Sequence, residues 1–488
     1  MVFPFSGSTV SSCGFSSKLA LLAPATTRDG SLGGTALGSA YYFSPSDDLP
    51  LAMLFRYYST IAAVLAAGMF LALGTGCDIL SVDNPNNLLE DDIDPTAAPS
   101  LANGAEASVT RALGAIHAPY HTATSELTWI GSRDAWGQLD LGIVNNERNE
   151  FTDAAFPYVG EATWVTQEYI SRMKTFRENG DLENVTPLVR TYLYGAIIYT
   201  ATADIFDNYV LSDRREGGEP IGPENMDTQY DQAITWLDEA ISLADGSDAV
   251  SDRLLTTLYA TRARAKYSRA LWNKLHPDVT TGMDALVNND GATADAQTAL
   301  DRMSEDFTYE LELVSSAPGL VVGDLSMALQ INERAELGFS PRYIQPEQDG
   351  TFDSVTFEDM ISGDVHPYLQ RFINNFIAES QYADIPVVSQ RGMYLILAEA
   401  ALAGNSSLSF ETQINNLRAL DDLPAYNGQV DAFELLKESR EVNLFLQGRR
   451  LADHYRFETP SPEWTSERNP PGTFFPITIT EINANPNL

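Results

Sequence analysis

Cys77 follows an uninterrupted apolar run at residues 61–73 and the small residues Gly74-Thr75-Gly76. A short apolar run, a patch of small residues and then a cysteine form the pattern of a secretory signal whose thiol receives lipid. The run is short for a membrane-spanning helix. Gly74 stands where such signals usually carry leucine, and Leu73 lies one place earlier. The alternative is a buried helix ending at Gly74. Residues 53–76 therefore read as a lipoprotein signal peptide, with Arg56 as the positive charge before the apolar run. Residues 1–52 are rich in Ser, Gly, Ala and Thr, show no sustained period, and read as a presequence or a mis-assigned start.

A second constellation suits ligand contact. Trp129, Arg133, Asp134, Trp136, Gln138, Asp140 and Asn145 fall within one short segment. An aromatic plane meets the apolar C–H face of a sugar ring, while amides, carboxylates and guanidinium groups meet its hydroxyls. The competing reading makes Trp129 and Trp136, seven apart, core residues of a helix. Trp272 reads as core, and Trp464 is open to either role. Near the C-terminus, Arg440, Glu441, Arg449, Asp453 and Arg456 read as a structural ion-pair network, with Arg449 and Asp453 four apart and able to pair along a helix.

Other chemistry finds little support. His117 and His121 are four apart, but no third ligand and no His-Glu-x-x-His motif accompanies them, so no metal is expected. There is no Gly-x-Ser-x-Gly elbow and no phosphate-cradling loop, and no cofactor is expected. Asn288-Asn-Asp290-Gly291 imitates part of a calcium loop, but Leu286 stands where the first ligand belongs. With 67 acidic residues some carboxylate pair always falls at glycosidase spacing, so such pairs carry no information. The net charge of −37 argues against nucleic acid and against anionic lipid surfaces as partners. Lysine is scarce, and the acidic surface suits a salty environment or a need for solubility.

The elements that must carry these residues are mainly helical. Residues 77–100 are rich in Asn, Asp and Pro and read as an extended tether. Helical spacing follows at residues 101–113, 189–205, 230–241 and 254–271, so residues 101–275 read as antiparallel helix pairs. Residues 276–390 hold Gly, Pro, Asp and Asn clusters and read as an irregular lobe of loops, short strands and short helices. Residues 391–488 return to helices at about 393–403 and 432–446, then end in a tail without helical period, expected to lie extended across the fold.

Taken in order, these pieces resemble the SusD/RagB family of outer-membrane nutrient-binding lipoproteins. The matching residues are Cys77 with Asn84-Pro85-Asn86, Tyr230-Asp-Gln-Ala-Ile with Leu237-Asp-Glu-Ala-Ile241, and Asp384-Ile-Pro-Val387 before Leu397-Ala-Glu399-Ala. Ile414-Asn-Asn-Leu-Arg418, Leu423-Pro424 and the stretch from Glu438-Ser-Arg440 through Gly448-Arg-Arg450 to Arg456 are the most specific. Phe475-Pro476-Ile477 with Glu481 and Asn483-Ala-Asn485-Pro486 closes the series. A departure is Phe206-Asp-Asn-Tyr-Val210, where the family often carries Tyr-Gly-Asp-Val-Pro. The resemblance implies a mainly α fold, with four tetratricopeptide-like helix pairs in a right-handed superhelix beside a loop-rich lobe. It implies a lipid-anchored protein on the outer membrane, facing the cell exterior. Such a protein captures an oligosaccharide or other nutrient for a SusC-like, TonB-dependent barrel and is not an enzyme. The rival readings are a lipid-anchored glycoside hydrolase or lyase, and a helical scaffold that binds only proteins.

Overall fold

The computed structural model describes residues 93–488, apart from 214–215, 246, 248, 305, 314–322, 346–354, 380, 463 and 466. The expectations for Cys77, the signal peptide and most of the tether lie outside the described residues. Asp94–Leu488 forms one compact unit.

Asp94 opens it by accepting a hydrogen bond from Thr96 N, with Pro95 at the first helical position. Helix α1 (Ala98–Ala123) follows. Most of its alanines, among them Ala102, Ala105, Ala112 and Ala115, are fully buried, and small side chains let neighbouring helices approach closely. After α2 (Asp134–Asp140), Asn149 caps α3 (Glu150–Glu178) by accepting from Phe151 N and Thr152 N. Then come α4 (Thr186–Ile205), α5 (Asp227–Ala244), α6 (Asp252–Leu275) and α7 (Asp290–Leu300). Ser251 and Asn289 cap the last two.

The pairing is regular. Helix α1 packs on α3, α4 on α5 and α6 on α7, while α10 (Gln390–Leu402) packs on α11 (Phe410–Ala419). Successive pairs join through α1–α4, α5–α6 and α7–α10. These are four tetratricopeptide-like helix pairs, the last supplied by chain more than a hundred residues beyond α6. The α4–α5 contact depends on Gly195, where a Cβ would come within 2.9 Å of the Trp236 ring.

The intervening chain holds the short α8 (Met327–Asn332) and α9 (Pro367–Ala378) and three of the four strands that form two small antiparallel sheets among the described residues. Strand β1 (Leu127–Trp129) pairs with β3 (Leu337–Phe339), placing Leu127 opposite Phe339 and Trp129 opposite Leu337. Strand β2 (Thr308–Leu311) pairs with β4 (Ile385–Ser389). The β1–β3 sheet clips the loop-rich lobe to the helical framework, and the β2–β4 sheet ties two segments of the lobe together.

Helix α12 (Ala432–Asn443), capped by Asp431, adds Leu435 and Leu436 to a core built with Leu395, Ala398, Ile414, Leu417 and Phe457. The last two helices are α13 (Arg450–Arg456) and α14 (Ile479–Ala484). The tail is extended where Phe475 pairs with Phe206, but α14 interrupts the expected extended run. Its residues have solvent on one side and form a single turn-and-a-half, too short to show a helical period in sequence.

Candidate functional site

The segment expected to contact ligand begins where β1 leaves the framework. Trp136 is fully buried on α2, its indole stacked 3.6 Å from the Phe151 ring at 13°. Helix α2 also buries Gly137 and Leu139, so this apolar face points inward. This corrects the expectation of Trp136 as a ligand contact, because a ring enclosed in the core offers no face to a sugar. Trp129 is half-buried and lies over Gly137, where a Cβ would come within 2.8 Å of it. Ile130, the next residue, is 57% exposed.

Arg133 organises the polar part of the surface. Its guanidinium lies over the Phe151 ring at 4.5 Å, donates to Asp324 Oδ2 at 3.0 Å and pairs with Glu150. Arg334 pairs with the other Asp324 oxygen. Glu336 accepts from Ser132 N at 2.9 Å, Arg133 N at 3.1 Å and Ser132 Oγ at 2.9 Å. Slight burial opposes ionisation of Asp324 and Glu336, but hydrogen bonds from Arg334 and Arg133 to Asp324, and from the Arg133 and Ser132 backbone to Glu336, hold both below the ordinary carboxylate range. Both are therefore acceptors at neutral pH.

The remaining predicted residues sit nearby. Asn146 Nδ2 donates to Gln138 Oε1 at 2.8 Å, and Thr128 Oγ1 donates to Asp140 Oδ2 at 3.3 Å. Asp134 and Asn145 are exposed. The structure thus gathers Trp129, Arg133, Asp134, Gln138 and Asp140 around α2 and removes Trp136 from the surface. Sequence reasoning missed Asp324, Arg334 and Glu336. They arrive from almost two hundred residues away through the β1–β3 pairing, and no local signal marks them. Chemically, the patch presents ionised carboxylates, a fixed guanidinium, amides and an apolar side chain, a set suited to hydroxyl-rich ligands.

A wider concavity lies elsewhere on the helical framework. A groove of about 630 Å³ between α3, α4 and α5 is lined by Gln167, Lys174, Glu178, Gln229, Gln232 and Trp236.

The C-terminal charged residues divide into two buried clusters. Glu399 on α10 accepts from Arg456 Nη1 at 2.5 Å, Arg440 Nη1 at 3.2 Å, Tyr267 O–H at 2.7 Å and Val287 N at 2.9 Å. Asp453 accepts from Arg440 Nε and Arg456 Nε, each at 2.9 Å. Burial alone would raise the Asp453 pKa, but Arg440 and Arg456 outweigh it and bring it down to about 2. Glu441 belongs to the other cluster, with Arg450 at 3.0 Å and Arg342. Arg449 does not pair with Asp453, contrary to the four-residue spacing. It precedes α13 instead of lying within it, and its Nη2 donates to Val387 O at 3.0 Å. Among the histidines, His121 Nδ1 lies 2.7 Å from Glu126 Oε2, and the His117 ring meets it edge-on at 5.1 Å.

The fold and the charged framework define a class: a mainly α protein of tetratricopeptide-like helix pairs carrying a loop-rich lobe. No family model matches the chain, and no curated protein matches it. Solved structures do. A SusD superfamily protein from Bacteroides thetaiotaomicron VPI-5482 superposes with a TM-score of 0.56 at 13% identity, covering 81% of this chain and 99% of that one. A second from the same organism gives 0.53 at 14% identity, covering 81% and 97%. A protein from Bacteroides vulgatus ATCC 8482, whose description names sugar binding, gives 0.50 at 13% identity, covering 81% and 97%. The chain has the SusD-like fold.

Proposed function

We propose that this protein is a lipid-anchored surface protein that captures an oligosaccharide and passes it to a SusC-like, TonB-dependent outer-membrane barrel. The observation that carries the reading is the SusD-like fold over 81% of the chain, shared with a protein described by its sugar binding. The patch around Arg133 supports it, because hydroxyls need paired donors and acceptors held at fixed geometry. The Cys77 signal supports lipid anchoring, with two or more acyl chains needed for stable attachment. No helix among the described residues is long and apolar enough to cross a membrane. The reading assigns binding without bond cleavage.

The test is a glycan array probed with the full chain, with product analysis of each hit. Binding of an intact glycan that weakens at least tenfold in Arg133→Ala supports the reading and its site. Cleavage of the bound glycan replaces it with the hydrolase or lyase. Absence of glycan binding, together with co-purification of a protein partner, replaces it with the scaffold.

A further inference from the structure

A cavity of about 30 Å³, lined by Tyr120, Asp204, Tyr267, Ser268, Arg440 and Arg449, lies between α6 and the Gly448-Arg449 turn. It accommodates about two waters or one monatomic ion.

The charges around this cavity do not balance. Arg440 and Arg456 are answered by Glu399 and Asp453, and Arg264 Nη2 reaches Asp204 at 3.2 Å. Arg449 forms no ion pair with any carboxylate among the described residues. Its Nη2 shares the Val387 carbonyl with Arg264 Nη1, at 3.0 and 3.4 Å. The Nε atoms of Arg449 and Arg264 are both buried without a hydrogen-bond partner. Four guanidinium groups thus face three carboxylates.

Neighbouring groups cannot supply the missing negative charge. Burial pushes the phenols of Tyr120, Tyr230 and Tyr267 above their usual range, so all three are neutral. Burial, with His121 and Arg264 beside it, pushes His117 down, so it is neutral as well. Arginine does not shed its proton in proteins, and a buried charge without a counter-charge is strongly destabilising. Tyr120 Oη already accepts from Leu451 N at 3.0 Å, which leaves its proton to be donated.

We propose that this cavity is a chloride site, with the Arg449 guanidinium and the Tyr120 hydroxyl as donors to the ion. The site is independent of the glycan surface, on other elements, and of the function proposed above. It joins α1, the Gly448-Arg449 turn and the α4–α6 helices through one shared counter-ion.

Thermal unfolding of the full chain tests it, in sodium chloride and in sodium gluconate at equal ionic strength. A ligand of the native state stabilises by mass action, so the melting temperature is expected to rise by about 1–2 °C per tenfold chloride once the site fills. Gluconate, too large for the cavity, should give no such series. Arg449→Met should melt identically in the two salts. Bromide-soaked crystals of the unaltered protein give a second readout that needs no variant: an anomalous peak beside Arg449 is expected. Equal melting of the unaltered protein in both salts, a full chloride effect persisting in Arg449→Met, or a cavity without bromide would each overturn the assignment.

Discussion

Glu399→Gln is the perturbation that most directly probes how the helix pairs are held to the C-terminal segment. Glu399 is completely buried and accepts from Arg456, Arg440, Tyr267 and the Val287 backbone. The amide keeps the shape but removes the charge, leaving Arg440 and Arg456 with Asp453 as their one carboxylate. Its NH₂ group also points a donor where guanidinium donors already stand. Removing one partner of a buried ion pair costs about 3–5 kcal/mol. The compact unit spans Asp94–Leu488, and at about 2.1 cal/mol/K per residue its unfolding entropy is about 0.8 kcal/mol/K. The melting temperature should therefore fall by about 4–6 °C, read by circular dichroism or calorimetry. Replacing Glu399, Asp453, Arg440 and Arg456 together by apolar residues of similar volume should recover part of the loss, because desolvation of all four charges disappears as well. A single-variant loss below about 1 kcal/mol would refute the reasoning, since it would mean that the guanidiniums are not left uncompensated.

Other outcomes follow from the same geometry. Trp136→Ala should cost about 3–5 kcal/mol by opening a cavity against Phe151, whereas Arg133→Ala, at a partly exposed ion pair, should change stability by no more than about 1 kcal/mol while weakening glycan binding; urea titrations beside array binding separate the two. Asp453 and Glu441 both sit at about 2 because Arg440, Arg456, Arg450 and Arg342 outweigh their burial. Their folded values lie below the unfolded ones, so their contribution is present above about pH 4.5 and is lost as pH falls from there toward 2; urea midpoints at pH 6 and pH 3 check it. Burial pushes Glu438 up to about 7, the opposite sign, so it favours the fold less as pH rises from about 4.5 through 7. Glu438→Gln, which retains an oxygen for Met360 N, should therefore raise the urea midpoint at pH 8 and leave it nearly unchanged at pH 4. Cys77→Ser should abolish incorporation of radiolabelled palmitate and release the protein from the membrane fraction.

The helices legible in the sequence are those whose apolar residues repeat at helical spacing over several turns. The patterns at 189–205, 230–241 and 254–271 correspond to α4, which begins three residues earlier, and to α5 and α6, which extend two to four residues further at each end. Helix α3 escaped because Pro157 and Gly160 interrupt a mixed, polar stretch; its inward face of Ala155, Val159, Ala162 and Ile170 is defined by α1 and α4 packing against it. The same limit applies to α7; α10 is legible at about 393–403, but that it and α11 form the fourth pair across an irregular intervening chain is not.

Sequence alone determined that the described chain is mainly helical, that it has loop-rich interruptions and that Arg440, Asp453 and Arg456 are charged partners near its C-terminus. Helical periodicity and like composition are local properties, carried by residues a few positions apart. Only the tertiary structure decided that Trp136 faces Phe151, that Asp324, Arg334 and Glu336 join Arg133, and that Arg449 stands apart from Asp453. Those outcomes depend on which distant segments the β1–β3 and α10 contacts bring alongside. A side chain's spacing within its own helix states the face on which it lies, but the chain packed against that face determines whether it meets ligand, core or counter-charge.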